Sequence, residues 1–153
     1  MSEHNELGRI GENEAAYYLA LKGYTLLDRN WRREKLEIDI VAEWHGEVVF
    51  VEVKTRSDEH FASAAEAVTL QKKRNIIAAG RAYMAYYNLH HKAYSFDIIT
   101  VVGTERPFKI THLRHAYTED EVWQQAHHNR AHPTNPVECC ADANPKTMLP
   151  NDT

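Results

Sequence analysis

The chain of 153 residues is predicted to fold as an α/β domain, a mixed β-sheet flanked by helices. Three observations predict it. Residues 36–56 alternate charged and apolar side chains at period two on either side of a His45-Gly46 turn, as strands with one buried face do. Two segments, 7–22 and 69–89, carry apolar residues at helical spacing instead. The order helix, three strands, helix, two strands then gives a sheet with helices available to cover it. The length fits one domain with a sizeable core.

The first helix, 7–22, places Glu12, Ala15, Ala16, Leu19 and Ala20 on one face. Glu12 falls at the edge of that stripe near the helix start, where a carboxylate suits the dipole. Gly8 and Gly11 would let this turn approach a neighbouring backbone closely. Tyr24 to Trp31 reads as the first strand.

The next two strands form a hairpin about His45 and Gly46. Counting outward pairs Trp44 with Glu47, Val41 with Phe50, Asp39 with Glu52 and Glu37 with Lys54. Asp39 and Glu52 would then face each other with Cβ atoms about 4.5–5.5 Å apart, and Lys54 follows on the same face. Glu37, Asp39 and Val41 share one face of the first of these strands; Val48, Phe50, Glu52 and Lys54 share one face of the second. A slip of one residue would separate the acids. Like charges opposed in this way destabilise a hairpin unless something positive lies between them, and a divalent cation is the simplest candidate. Glu12 supplies a plausible third oxygen donor for a hard cation such as Mg²⁺. Lys54 has an alternative role as a cross-strand partner of Glu37.

The helix over 69–89 presents Ile76, Ile77, Gly80, Tyr83, Met84 and Tyr87 as one apolar stripe, with Thr69 as its cap. Lys72, Lys73 and Arg74 crowd positive charge into its first turn, where the dipole opposes it; phosphate contact would use it, and a solvated charge cluster accounts for it equally well. Ser95 to Val102 and Phe108 to Leu113 read as the last two strands. Asp97 lies within the former and is expected to serve structure rather than bind metal.

Residues 1–117 are read as the α/β domain and 118–128 as a short C-terminal helix, opened by the capping box Thr118-x-x-Glu121 and running to about Ala126. Residues 129–153 hold four of the five prolines and read as a disordered tail. Cys139 and Cys140 lie there, adjacent and poorly placed to bridge each other. Neither they nor His90, His91, His112, His115, His127 and His128 show the spacing of a zinc motif, and the histidines read as surface residues. No stretch resembles a signal peptide or a membrane span, so a cytoplasmic protein is expected.

The net charge of −4 resides after residue 117, where six acids face two bases; the remainder is balanced. Arg29, Arg32, Arg33, Lys35, Arg56, Lys72, Lys73 and Arg74 flank the acidic pair in sequence and can form a local basic surface for nucleic acid.

Asp39 … Glu52-x-Lys54 resembles the D…(D/E)-x-K signature of the restriction-endonuclease-like nuclease superfamily. A longer ordered series is similar to the small bacterial YraN-like family, related in fold to archaeal Holliday-junction resolvases. It comprises Gly8-x-x-Gly11-Glu12, Lys22-Gly23-Tyr24, Arg29-Asn30-Trp31-Arg32, Glu37-Ile-Asp39, Phe50-Val-Glu52-Val-Lys54-x-Arg56, Glu66-Ala67-Val68-Thr69 and Phe96-Asp97. The match runs over about residues 8–117. Leu36, Ala62, Ala64 and Ser95 depart from it, and Ser95 removes a basic residue.

The resemblance implies a restriction-endonuclease-like fold and a metal-dependent endonuclease acting on DNA, including branched forms. Asp39, Glu52 and the Val53 carbonyl would hold Mg²⁺ or Mn²⁺, Glu12 would orient a second metal or its water, and Lys54 would act beside them. Arg32, Arg56, Lys72 and Lys73 are the candidate nucleic-acid contacts. A homodimer is compatible with cutting two strands, though no segment demonstrates an interface. The competing expectation is a non-catalytic nucleic-acid-binding or adaptor protein that keeps the fold.

Overall fold

Five strands and three helices follow one another as α1 (Glu3–Leu21), β1 (Thr25–Arg33), β2 (Leu36–Trp44), β3 (Glu47–Arg56), α2 (Leu70–Tyr86), β4 (Tyr94–Val102), β5 (Lys109–Tyr117) and α3 (Glu119–Ala131). A computed structural model describes residues 3–58, 63 and 66–131. Cys139, Cys140, Ala62, Ala64 and the tail from 132 onward lie outside the described residues. The strands form one sheet in chain order, β1-β2-β3-β4-β5, in which only β3 and β4 run parallel. A parallel pair needs a long crossover, and α2 supplies it. The expected mixed sheet flanked by helices is thus present. β5 extends past the expected Leu113 to Tyr117, and α3 past the expected 128 to Ala131.

Each face of the sheet has its own core. Ala15, Ala16 and Leu19 of α1 pack on Ile40, Ala42, Val49, Val51, Val53, Ile99 and Val101. Ile76, Ile77, Tyr83 and Met84 of α2 pack on Val41, Val48, Phe50, Phe96 and Ile98. The α2 stripe therefore lies where its spacing places it, except that Tyr87 is exposed. Thr69 caps that helix, its hydroxyl accepting the Lys72 main-chain N–H at 3.2 Å. Thr118 and Glu121 close a reciprocal box at the start of α3. The β2–β3 turn has φ of 49° at His45 and 81° at Gly46, the left-handed pair that a two-residue hairpin loop requires.

The β2–β3 ladder pairs Trp44 with Glu47 and Val41 with Phe50, as counting from the turn predicts, but it stops at Ile40 and Val51. The expected pairs Asp39–Glu52 and Glu37–Lys54 do not form. Regular alternation also fails there: Ile38 joins the α2-side core, whereas Ile40 joins the α1-side core. On the other flank, Arg29 pairs with Ile40 and Trp31 with Ile38, leaving Asn30 and Asp39 between them outside the ladder. Asn30 has φ of 51°, a left-handed conformation that Asn tolerates better than most residues. The irregularity turns Trp31 and Ile38 toward α2, where Trp31 meets Tyr83 edge-on at 5.3 Å.

Gly11 brings α1 against this end of β3, because a Cβ there would overlap the Thr55 side chain. Gly8 does no such work, having open space where its Cβ would lie. Gly11→Ala is therefore expected to cost roughly 1–3 kcal/mol of stability, the usual penalty of an overpacked contact, and Gly8→Ala nothing similar. Urea denaturation of the two variants beside the native chain measures the difference; equal stabilities would mean that α1 shifts freely away from β3.

Candidate functional site

Where β2 leaves β3, a side chain takes over from the backbone. Asp39 Oδ2 accepts the Val53 main-chain N–H at 2.9 Å, filling the position a β2 carbonyl would hold in a continued ladder. Asp39 is thereby pinned beside Glu52, the residue before Val53, although the two do not pair across the sheet. Both acids are buried, Glu52 to 4 % exposure. Lys54 Nζ lies 3.4 Å from Glu52 Oε1 and Lys72 Nζ, from the first turn of α2, 3.9 Å from the same oxygen.

Burial raises the Glu52 carboxyl to about 7, the neighbouring charge and contact of Asp39 adding to it while Lys72 and Lys54 oppose it. Glu52 thus holds a proton at a pH where an exposed Glu would have lost it. Lys54, expected beside the acids, lies against one of them. Its partner is Glu52, however, and not Glu37, which pairs with Arg32 at 3.3 Å on the β1–β2 side.

Glu12 reaches this region from α1. Burial raises its pKa first, then the charge of Asp39, and a side-chain hydrogen bond from Asn30 opposes both. Among the described residues, no group of three or more His, Cys, Asp or Glu side chains is placed to hold a metal ion. Among the described residues Glu12 is therefore not grouped with Asp39 and Glu52 as the expected third acid, although the charge of Asp39 reaches it. The donor set reduces to Asp39 and Glu52. Two carboxylates still fit a hard cation of the Mg²⁺ type, which keeps several waters and commonly takes only one or two protein carboxylates. A buried Glu52 whose ionisation is opposed by burial and by its acidic neighbour is also what such a cation would relieve.

The expected basic contacts divide. Lys72 sits on Glu52, and Lys73 lies over the Tyr117 ring at 5.3 Å. Arg32 is tied to Glu37 at the exposed β1–β2 end, and Arg56 donates to the Thr55 carbonyl at 2.9 Å. Asp97 is structural, as expected. Its oxygens meet His112 Nε2 at 2.7 Å and the His115 main-chain N–H at 3.0 Å, holding the bulge between β4 and β5. The His112 side chain is consequently buried rather than on the surface. His90, His91, His115, His127 and His128 are exposed.

Two site residues escaped sequence reasoning. Asn30 was legible only as part of a longer motif. Tyr117 had no signal at all. Its ring stacks on Phe96 at 5.3 Å, while its buried hydroxyl finds no hydrogen-bond partner among the described residues. Burial raises that hydroxyl's pKa, with the charges of Glu52 and Asp97 adding to the effect.

Residues 11–101 match the uncharacterised protein family UPF0102. A UPF0102 protein of Phocaeicola vulgatus is 47 % identical over 117 residues, 76 % of this chain and 96 % of the relative. One of Bacteroides thetaiotaomicron matches to the same extent and one of Bacteroides fragilis at 44 %, with the same coverage. The matched segment contains Glu12, Asp39, Glu52, Lys54 and all of α2.

Because the folded pKa of Glu52 lies above its ordinary 4.5, the native chain binds the proton more tightly than the unfolded chain. Its stabilising contribution is full below pH 4.5 and is lost as pH rises through about 7, a change on the order of 3 kcal/mol in chelator. Glu52→Gln should flatten this slope in urea denaturation between pH 5 and 8, and an unaltered slope would assign it to other groups. Tyr117→Phe, which removes the unpaired hydroxyl, should gain about 1 kcal/mol in the same assay.

Proposed function

The chain belongs to the uncharacterised protein family UPF0102, the YraN-like family, and we propose that it is a metal-dependent phosphodiester hydrolase, an endonuclease acting on DNA. The observation that carries this reading is the pair of buried acids, Asp39 and Glu52, at the fork of β2 and β3 with two ammonium groups on one of them. Burying carboxylates side by side works against folding, so packing alone gives no reason for them.

Asp39 and Glu52 would hold Mg²⁺ or Mn²⁺, joined on the resemblance by the Val53 carbonyl. The chemistry such an ion supplies when bound is charge neutralisation at the phosphoryl oxygens and a lowered pKa for water. The remaining work falls to the chain. Val53 N–H fixes the Asp39 carboxylate in place. Lys54, with a quarter of its side chain exposed, reaches from Glu52 toward solvent, where it can orient the attacking water and steady charge developing on the phosphate. Lys72 approaches from α2 and can hold a phosphoryl oxygen from the other side. Glu12, kept on Asn30, would orient water rather than bind metal. Arg32, Arg56 and Lys73 remain the candidates for phosphates farther along the strand.

DNA is the proposed partner because basic residues surround the acids in a chain of overall negative charge. Branched or flapped forms are favoured by the resemblance to junction resolvases, and a homodimer would let two sites act on two strands. Among the described residues no helix is long and apolar enough to cross a membrane. The reading places the protein in the cytoplasm, beside its substrate. That no third acid joins the pair among the described residues favours one alternative, a nucleic-acid-binding adaptor without catalysis.

Single-stranded, duplex, flap and four-way-junction DNA incubated with Mg²⁺ or Mn²⁺ separate the two. Cleavage of at least one is expected, reduced about 10²-fold or more in Glu52→Gln and Lys54→Ala. A Mn²⁺-induced rise in Tm, absent in Asp39→Ala, should accompany it. Intact DNA in every mixture would leave the adaptor.

A further inference from the structure

A groove of about 440 Å³ runs between α2 and α3, lined by Gln71, Arg74, Asn75 and Arg81 on one side and Trp123 on the other. The α2 residues recur at helical spacing, so they form a stripe distinct from the buried one that begins near Lys72. The volume lies in the range of sites that take a small planar group, too small for a duplex.

Three features say what would occupy it. Trp123 is 53 % exposed, and its ring lies nearly parallel to His127 at 5.6 Å, a flat aromatic surface open to solvent. Arg74 has no ion-pair partner among the described residues, whereas Arg81 is tied to Glu119. That tie pairs off one of the three acids in the first turn of α3; Asp120 and Glu121 keep their charge, Glu121 accepting the Thr118 N–H at the helix start. Gln71 and Asn75, bonded to each other at 3.0 Å, still have amide donors and acceptors to spare.

The groove also shares the first turn of α2 with the cations nearer the acidic pair. Lys72 on Glu52, Lys73 over Tyr117 and Arg74 in the groove fan around one helical turn that has no acid in it. Such a turn is unfavourable against the helix dipole unless polyanion contact uses it. A protein partner would also use a Trp and an Arg, but it would not need three successive cations on a turn where the helix dipole opposes them.

We infer that the α2–α3 groove binds single-stranded nucleic acid, an unpaired base stacking on Trp123 while Arg74 takes its phosphate. This rests on the hydrolase reading for the neighbouring site and narrows its substrate to DNA with a single-stranded arm. Aromatic stacking combined with positive charge is how strands without a partner are held irrespective of sequence.

Fluorescence anisotropy of a labelled oligothymidylate, titrated with the full chain in chelator, tests it. Trp123→Ala should weaken binding roughly 5- to 150-fold, the range of one stacking contact, and Trp123→Phe should keep most of the affinity. Arg74→Ala should weaken binding and lower the salt dependence by about one phosphate contact. Circular dichroism melts confirm that each variant is folded, and Arg74→Ala carries the test should Trp123→Ala fail to fold. Unchanged affinity in Arg74→Ala and whichever Trp123 variant folds overturns the inference. So does a sedimentation-detected dimer of the native chain that Trp123→Ala abolishes, since the face would then belong to a second copy. Binding is read without metal, so failure of the native chain to cut DNA counts against the hydrolase reading and not against the groove.

Discussion

The site depends on one hydrogen bond, from the Val53 main-chain N–H to the Asp39 carboxylate. Past Ile40 and Val51 the two strands no longer pair, and an unpaired N–H in the centre of a sheet is costly. Asp39 satisfies it from the strand that has just withdrawn. This allows β2 to diverge without leaving a buried donor unpaired, and it holds one acid beside another with little freedom to swing away. Had the ladder continued, the Val53 N–H would belong to the backbone and Asp39 would be an ordinary strand residue.

Two helices converge on this fork from opposite faces, each for reasons of packing. Gly11 draws α1 onto Thr55 and brings Glu12 and its Asn30 partner within range of Asp39. The core stripe of α2 seats on Phe50 and Phe96, which carries Lys72 over Glu52. The hydrophobic effect supplies the driving force on both sides, and the polar groups arrive as a consequence. Glu52 is the group against which this works: its burial favours the protonated form, and the two lysines only partly offset that. Packing thus works against the ionised form of one residue, and such perturbed groups cluster at functional sites.

α2 joins three tasks in one element. It closes the parallel crossover between β3 and β4, covers one face of the sheet, and turns a cationic first turn outward. The family match ends at residue 101, so it contains the acids and α2 but not α3. One wall of the groove therefore lies within the matched segment and the other beyond it.

Element types, their order and the β2–β3 register near the turn were legible in the sequence. They follow from local rules: period-two and helical spacing, a His-Gly pair able to adopt left-handed backbone, and Thr69 and Thr118 as caps. Asp39, Glu52 and Lys54 could be named for the same reason, since charges within an apolar strand stand out. What only the tertiary structure decided was where the ladder stops. Pairing ends at Ile40, next to where Asn30 on a different strand takes a left-handed conformation, and no count along β2 and β3 contains that information. Beyond the break Glu37 pairs with Arg32 and Lys54 with Glu52. Tyr117 and the α2–α3 groove were hidden for a kindred reason, because burial and adjacency between elements distant in sequence are set by packing rather than by spacing.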